Sequence, residues 1–469
     1  MLDYDLNERG SVSLYEYLYQ RIRDDILSGS IAAGEHLPSK RGLAQHLGIS
    51  VITVEGAYDQ LVAEGFVRSA PRRGYFANEL PQVTGASRLK DVGDRDTPVE
   101  LGVRLSAEAS PRLSDTSLEG ARLWQRALKA VLATEDEREL FAPAPAQGTA
   151  RLRCAIAAHL RGSRGMDVDP GAIVIGAGAQ LLDTMLVQLL GCDKVYAVED
   201  PGYLRLTRIY QACGCDLRHI PLDAEGPDLH ALENSGANVL HLMPSHQFPT
   251  GRVTSIARRY ALLGWASQRS GRYLIEDDFD CEFRLAGKPI PPLAAIDAPG
   301  CVIYTNTFSK SLSSALRLAY MVLPDQLMER YRQELGFYAS TVSSIEQIVL
   351  AHLLETGEYE RHVRRVRKRA RDARDALVTA IAETGLEDRV RLEGTDAGLH
   401  AVLAIRTGHD EHELLQLLGM PAGCVSALGD YLWCAEHGAD DDARRLVVQY
   451  LALEKELGGE LAEKLRTIL

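Results

Sequence analysis

The sequence predicts a multidomain protein, α+β at its N-terminal end and α/β beyond, with a mainly parallel sheet. Three observations predict it. The chain has 469 residues, too many for one ordinary hydrophobic core. Residues 1–78 carry short apolar stripes of helical period punctuated by glycines. Residues 111–469 alternate short apolar runs with helical stretches, the pattern of a parallel sheet covered on both faces.

In the first part, Leu14, Leu18, Ile22 and Ile26 recur every fourth residue, one stripe of an amphipathic helix that stops at Gly29. Ser39 can cap a second helix that carries Leu43 and Leu47 and ends at Gly48. Ser50 can cap a third, with Val54, Tyr58 and Leu61 inward, ending at Gly65. Phe66-Val67-Arg68 and Tyr75-Phe76 are strand-like pieces on either side of a basic turn, 69–74, that holds Arg72 and Arg73. Three helices and a two-stranded basic tip make a winged helix-turn-helix. Residues 79–110 contain Pro, Gly, Asp and Arg with weak periodicity and read as a linker.

In the body the apolar runs are 173–175, 195–198, 239–242, 273–275 and 302–304, each ending in a polar or glycine-rich turn. Functional groups in such sheets gather just past the strand C-termini. There the backbone of Gly178-Ala179-Gln180 opens a helix, a natural cradle for a phosphate.

Composition sets limits. With 46% apolar and 25% charged residues the chain is ordinary for a globular protein. No stretch approaches the roughly 20 consecutive apolar residues of a membrane span. The opening residues lack the apolar core of a secretory signal, so export is not expected. Eight cysteines are scattered, Cys213 and Cys215 being the one close pair. That is neither a metal clip nor a disulfide framework, and it predicts a reducing, cytoplasmic setting with no bound metal. A net charge of −13 disfavours nucleic-acid binding by the surface as a whole but not by a small local contact. Within residues 11–78 the basic and acidic side chains balance. One copy should therefore bind DNA modestly, and a dimer reading two half-sites is expected.

The segment LPSKRGLAQHLGISVITVEGAYDQLVAEGFVRSAPRRGYF makes residues 13–77 resemble the winged helix of GntR-family regulators. The resemblance implies a double-stranded DNA operator as partner. Ser39 and Arg41 would contact it from the second helix, and Ser50, Ile52 and Thr53 from the N-terminal end of the third, which can face base edges in a major groove. Arg72 and Arg73 on the wing can reach phosphates or a minor groove. The family often has arginine where this chain has Val51 and Glu55, so individual base contacts do not carry over.

Four motifs follow in order, Glu199-Asp-Pro-Gly-Tyr203, Pro244-Ser-His-Gln-Phe-Pro-Thr-Gly251, Glu276-Asp-Asp-Phe-Asp280 and Thr307-Phe-Ser-Lys310, the last followed by Arg317. By these motifs nearly all of residues 111–469 resembles fold-type I aminotransferases, which implies a mainly parallel sheet with a small C-terminal α/β subdomain, and the whole chain resembles the MocR (GabR-like) subfamily of GntR regulators. The resemblance implies pyridoxal 5'-phosphate as cofactor. Lys310 would give the amine for its Schiff base, and Asp277 the carboxylate that faces the pyridine nitrogen. Thr307, Arg317 and the Gly178, Ala179, Gln180 backbone would hold the phosphate. Tyr203 would cover the ring and Arg205 would face a small-molecule effector. A homodimer is implied too, with the winged helices swapped over the partner's body in some arrangements.

Three departures stand out. Phe279 and Phe248 occupy positions where fold-type I enzymes usually hydrogen-bond the ring oxygen. The segment Phe141-Ala-Pro-Ala-Pro-Ala-Gln-Gly148 replaces a Tyr-Gly-Asp-Pro pattern whose tyrosine commonly reaches the partner's phosphate. No Arg or Lys lies between Arg406 and Arg444, and Leu428 stands about where a carboxylate-binding arginine is usual. The reading is thus a transcription regulator that senses a small amine, amino acid or vitamer through a Schiff base at Lys310, without sustained catalysis. The alternative is an active aminotransferase with an attached DNA-binding domain. A basic run from Arg361 to Arg374 falls on a helix and reads as a solvated face, a second DNA contact being the alternative.

Overall fold

The structure, a computed structural model, describes residues 2–10, 12–71, 73–79, 115–286, 290–434 and 443–469. The expected linker lies, save for Glu79, outside the described residues, as does Arg72. The chain divides into two compact units, Met1–Leu101 and Gly102–Leu469.

The first unit follows its punctuation. Helix α1 (Leu14–Ser28) buries Tyr17, Leu18, Ile22 and Ile26 and ends at Gly29, whose φ of 79° only glycine adopts without cost. Helices α2 (Lys40–Leu47) and α3 (Val51–Ala63) start where Ser39 Oγ accepts the Gly42 amide and Ser50 Oγ the Thr53 amide, each at 3.1 Å. Leu18, Ile22, Leu43, Val54, Tyr58 and Leu61 close one core, at roughly 1.5–3 kcal/mol per large side chain. The sheet has three strands, not two. The short strand β1 (His36–Leu37) pairs antiparallel with β3 (Gly74–Ala77), which pairs with β2 (Val67–Ala70). Ser69, Ala70 and Gly74, read as turn residues, belong to β2 and β3, so the wing tip is shorter than expected.

The second unit is built on an eight-stranded sheet. Its strands are β4 (Ile173–Gly176), β5 (Val195–Asp200), β6 (Asp216–Asp223), β7 (Gly226–Pro227), β8 (Val239–Leu242), β9 (Tyr273–Asp277), β10 (Val302–Thr307) and β11 (Ala319–Val322), in the order β4-β11-β10-β9-β8-β5-β6-β7. The strands from β10 to β6 run parallel, and β11 runs antiparallel to both its neighbours. Helices α4 (Asp115–Thr134), α5 (Glu137–Leu140), α6 (Ala150–Arg164), α7 (Ala179–Leu190), α8 (Leu204–Ala212), α9 (Leu229–Asn234), α10 (Ile256–Ser267) and α11 (Asp325–Glu334) accompany it. Successive residues of β9 serve opposite faces. Ile275 joins the core of Leu186, Tyr210 and Tyr331, while Leu274 joins that of Leu262 and Trp265.

Helices α12 (Ser344–Glu355) and α13 (Glu358–Ala382) lead to the small subdomain. It comprises β12 (Val390–Glu393), β13 (His400–Arg406), α14 (Glu411–Leu418), β14 (Val425–Ala427), β15 (Ala443–Gln449) and α15 (Tyr450–Ile468). Its sheet, ordered β12-β13-β15-β14, is wholly antiparallel. Val366, Leu403, Leu446 and Leu461 pack it into the same core as Leu152 and Val349.

Candidate functional site

In the body several of the candidate side chains stand at or just past strand C-termini. Asp277 is the last residue of β9, opposite Thr305 of β10, and β10 ends in Thr307. Burial, reinforced by Asp278 and Asp280 and opposed by the Phe279 amide, pushes the Asp277 carboxyl up to about 7. No cation lies among those causes. Lys310 follows in the loop after β10. Its side chain reaches solvent, but the protein around it holds its pKa below the ordinary lysine value, with Asp280 opposing.

A second cluster forms where β4 feeds α7. Gly178 caps α7 at φ 90° and has no side chain to bond the first-turn amides. A Cβ there would lie 2.4 Å from Arg317 Nη2, so the guanidinium rests on the bare glycine backbone at the positive end of the helix. Arg317 itself holds φ 49°, a conformation costing a non-glycine residue roughly 1–3 kcal/mol. Thr307 Oγ1 lies 2.8 Å from Ser309 Oγ, accepts the Ser309 amide and donates to the Leu318 carbonyl at 3.2 Å, one residue past Arg317. Tyr203, at the start of α8, hydrogen-bonds the Gln180 side chain. Burial raises its pKa, with Asp277 and Asp183 in the same direction and Arg317 opposing. Gly178, Gln180, Tyr203, Asp277 and Arg317 therefore share one neighbourhood. Ala179 opens α7, and Arg205 is half-buried in the first turn of α8.

The two phenylalanines differ in setting. Phe248 sits edge-on to Tyr203, Tyr431 and His400, with centroids at 6.3, 5.0 and 5.2 Å. Phe279 is half-buried beside Asp277. Leu428 is buried against Val402, Val447 and Tyr431. It also lines a cavity of 560 Å³ shared with Arg252, Glu393 and Arg445, so two arginines, Arg445 of them from β15, line the same cavity as Leu428.

Sequence reasoning missed one buried cluster. His246 Nδ1 lies 2.8 Å from Asp280 Oδ2, and the His400 ring is 4.2 Å from that of His246. Burial, then His246 and Lys310, push His400 well below the ordinary histidine value. A Cβ on Gly398 would lie 1.9 Å from the His246 ring, so the pair closes only over a glycine. No spacing in the sequence connects positions 246, 280 and 400.

In the first unit Arg41 and Arg73 are exposed, and Arg73 lies 6.0 Å from the Phe76 ring. Ser39 and Ser50 are spent as caps, and Ser50 Oγ also lies 2.8 Å from Thr53 Oγ1. Ile52 stands 78% exposed and Val51 42% exposed. Lys40 is a clip the sequence did not reveal. It bonds Glu55 at 2.8 Å and Asp59 at 3.3 Å, and covers the Tyr75 ring.

The basic run on α13 is only partly a solvated face. Arg364, Arg365 and Lys368 are exposed. Arg367 donates to the Glu282 carbonyl at 2.7 Å, Arg371 to that of Leu285 at 3.2 Å and Arg374 to that of Thr395 at 3.0 Å, so these three bind the body to itself. No helix among the described residues is long and apolar enough to cross a membrane.

Fold and site together define a fused regulator, a DNA-binding winged helix joined to an aminotransferase-like body. Residues 14–76 match the family described as bacterial regulatory proteins, gntR family, and residues 114–407 match aminotransferase class I and II. The chain is 35% identical, over 88% of its length and 88% of the relative's, to an uncharacterized HTH-type transcriptional regulator of Bacillus subtilis, YdeL. It is 33% identical to the HTH-type pyridoxine biosynthesis transcriptional regulator PdxR of Corynebacterium glutamicum, over 85% of this chain and 84% of that one. An archaeal alanine:glyoxylate aminotransferase shares the body's fold, with a TM-score of 0.63 and 22% identity over 74% of this chain and 86% of that one. The chain belongs to the MocR (GabR-like) subfamily of the GntR-family, HTH-type transcriptional regulators, whose aminotransferase-like domain has a fold that normally binds pyridoxal phosphate.

Proposed function

We propose that this regulator carries pyridoxal phosphate on Lys310 and that a small amine, amino acid or vitamer sets its affinity for an operator. The observation that carries the reading is the bare Gly178 backbone under Arg317, with Asp277 and Tyr203 alongside. The residues fit the cofactor. A positive pyridine nitrogen would oppose the effect of burial that raises Asp277, and a phosphate would meet the Arg317 charge and the start of α7, which no side chain caps. Bound there, pyridoxal phosphate supplies an aldehyde that condenses reversibly with primary amines.

The protein's own groups set the rest. A lowered pKa leaves more of Lys310 as the neutral amine that bonds carbon. Tyr203 would cover the ring, Thr307 would add a phosphate contact, and Arg205 would meet an anionic effector. The side chains of Phe248 and Phe279 donate no hydrogen bond, which favours exchange of amines over turnover. An effector switches DNA binding only by favouring one state of the protein over another. The likeness to a regulator of pyridoxine biosynthesis keeps vitamers among the effectors to test.

A homodimer joined through the body follows from the fold's usual assembly. Exposed Phe141 and Phe337, at 72% and 76%, suit a surface that a partner covers. Swapped winged helices would complete the expected arrangement, with Ser39, Arg41, Ser50, Ile52, Thr53, Arg72 and Arg73 toward DNA.

The test is to add pyridoxal phosphate, then a panel of amines and vitamers, while following the visible cofactor band and operator retention together. The expected result is a band that shifts in step with a change in retention. Rapid multiple turnover to keto acid with unchanged DNA binding would show an enzyme instead.

A further inference from the structure

The tip of α3 has an unusual chemical character for a surface that is to read bases. Its buried side is fixed by Val54, Ala57, Tyr58 and Leu61. Its first turn is held by the Ser50 hydroxyl, which accepts the Thr53 amide at 3.1 Å and lies 2.8 Å from the Thr53 hydroxyl. The next charged side chains along the outer side, Glu55 and Asp59, are already bonded to Lys40. What remains at the tip is Ile52, 78% exposed, beside Val51, 42% exposed. A single exposed isoleucine is ordinary on a protein surface. Two adjacent exposed apolar side chains at this helix end, with the polar neighbours engaged elsewhere, leave the tip no side-chain amide or guanidinium to pair with a base edge.

We propose that Ile52 reads the 5-methyl group of thymine in the major groove, with Val51 packing beside it, so that each operator half-site carries a required thymine methyl. The inference rests on the DNA-binding reading above. Thymine is the one base with an apolar group on its major-groove edge, and apolar side chains recognise it by contact. Ile52, Val51 and Thr53 are all β-branched, so their side chains are stiff at χ1 and lose little freedom on docking. The Lys40 clip helps by offsetting one of the two negative charges of Glu55 and Asp59, which would otherwise repel the nearby phosphates more strongly. Arg41 and Arg73 are left to hold the backbone without sequence preference.

The experiment uses the full-length protein loaded with pyridoxal phosphate. Bound duplexes are selected from a random double-stranded library, and each thymine of the selected half-site is then replaced singly by deoxyuridine, which removes only the methyl. At one position per half-site the exchange is expected to weaken binding about fourfold, the worth of one buried methyl-sized group. Ile52→Ala should bind the thymine duplex about as weakly as the wild type binds the uracil one, and should no longer distinguish them. Ile52→Val, which keeps a methyl at the same branch, should distinguish them in part. The proposal is overturned if duplexes are selected and no uracil exchange matters, or if Ile52→Ala stays equally methyl-sensitive. If no duplex is selected at all, the DNA-binding reading fails first and this one falls with it.

Discussion

A methyl group at residue 178 would stand 2.4 Å from the Arg317 guanidinium, on a backbone already at φ 90°. Gly178→Ala should therefore displace Arg317 and weaken pyridoxal phosphate binding tenfold or more, roughly 1.4 kcal/mol, in an absorbance titration. Lys310→Ala should abolish the adduct that borohydride traps on this peptide. A wild-type chain that stays colourless with pyridoxal phosphate would sink the assignment. Asp277 gives a pH prediction. Its carboxyl is raised from 3.8 to about 7, so between those values the cofactor-free folded chain keeps a proton that the unfolded chain releases. The stability it contributes is full below about pH 4 and is lost as the pH rises through 7. Glu199, pushed up to about 8, and Glu276, to about 7, act in the same direction. Asp277→Asn should flatten the fall in Tm over this window, and loading the wild type with cofactor should do so too.

At the scale of elements, α3 and α13 make opposite demands on their polar residues. The start of α3 depends on Ser50, so Ser50→Ala should cost about 1 kcal/mol locally. Faster amide exchange in the first turn of α3, with the body unchanged, is the measurement that shows it. Helix α13 uses its arginines to hold carbonyls of neighbouring loops. A charged donor on a carbonyl is worth about 1–2 kcal/mol net when partly solvated. Arg367→Ala and Arg371→Ala should each lower Tm and leave the salt dependence of operator binding as it was. A reduced salt slope would instead assign this helix to DNA.

For the whole molecule, the net charge of −13 means that the affinity for DNA must come from a few local cations. Removing Arg72 and Arg73 together should weaken binding to all sequences. The slope of log K against log salt should flatten by about one unit for each lost phosphate contact. An unchanged slope would remove the wing from the interface. A homodimer should persist at micromolar concentration in sedimentation of the cofactor-loaded protein, and a clean monomer would contradict the proposed assembly.

The sequence by itself determined the elements and the order of the motifs. Helices α1 to α3 were legible because caps, glycine stops and apolar period are local properties of the chain. Strands β4, β5, β8, β9 and β10 were legible because each is a continuous apolar run buried on both faces. Strands β1, β6 and β7 were not. β1 and β7 have two residues each, β6 is only partly buried and mixed in character, and pairing partners rather than their own period define them. Tertiary structure alone decided which distant groups meet. It set Arg317 on Gly178, Lys40 against Glu55, Asp59 and Tyr75, His246 between Asp280 and His400, and Arg445 in the cavity beside Leu428. Such contacts join residues from separate elements, and no spacing along the chain encodes them. They arise when packing of the apolar faces brings those elements together, so side chains whose local sequence says little acquire partners and shifted charge.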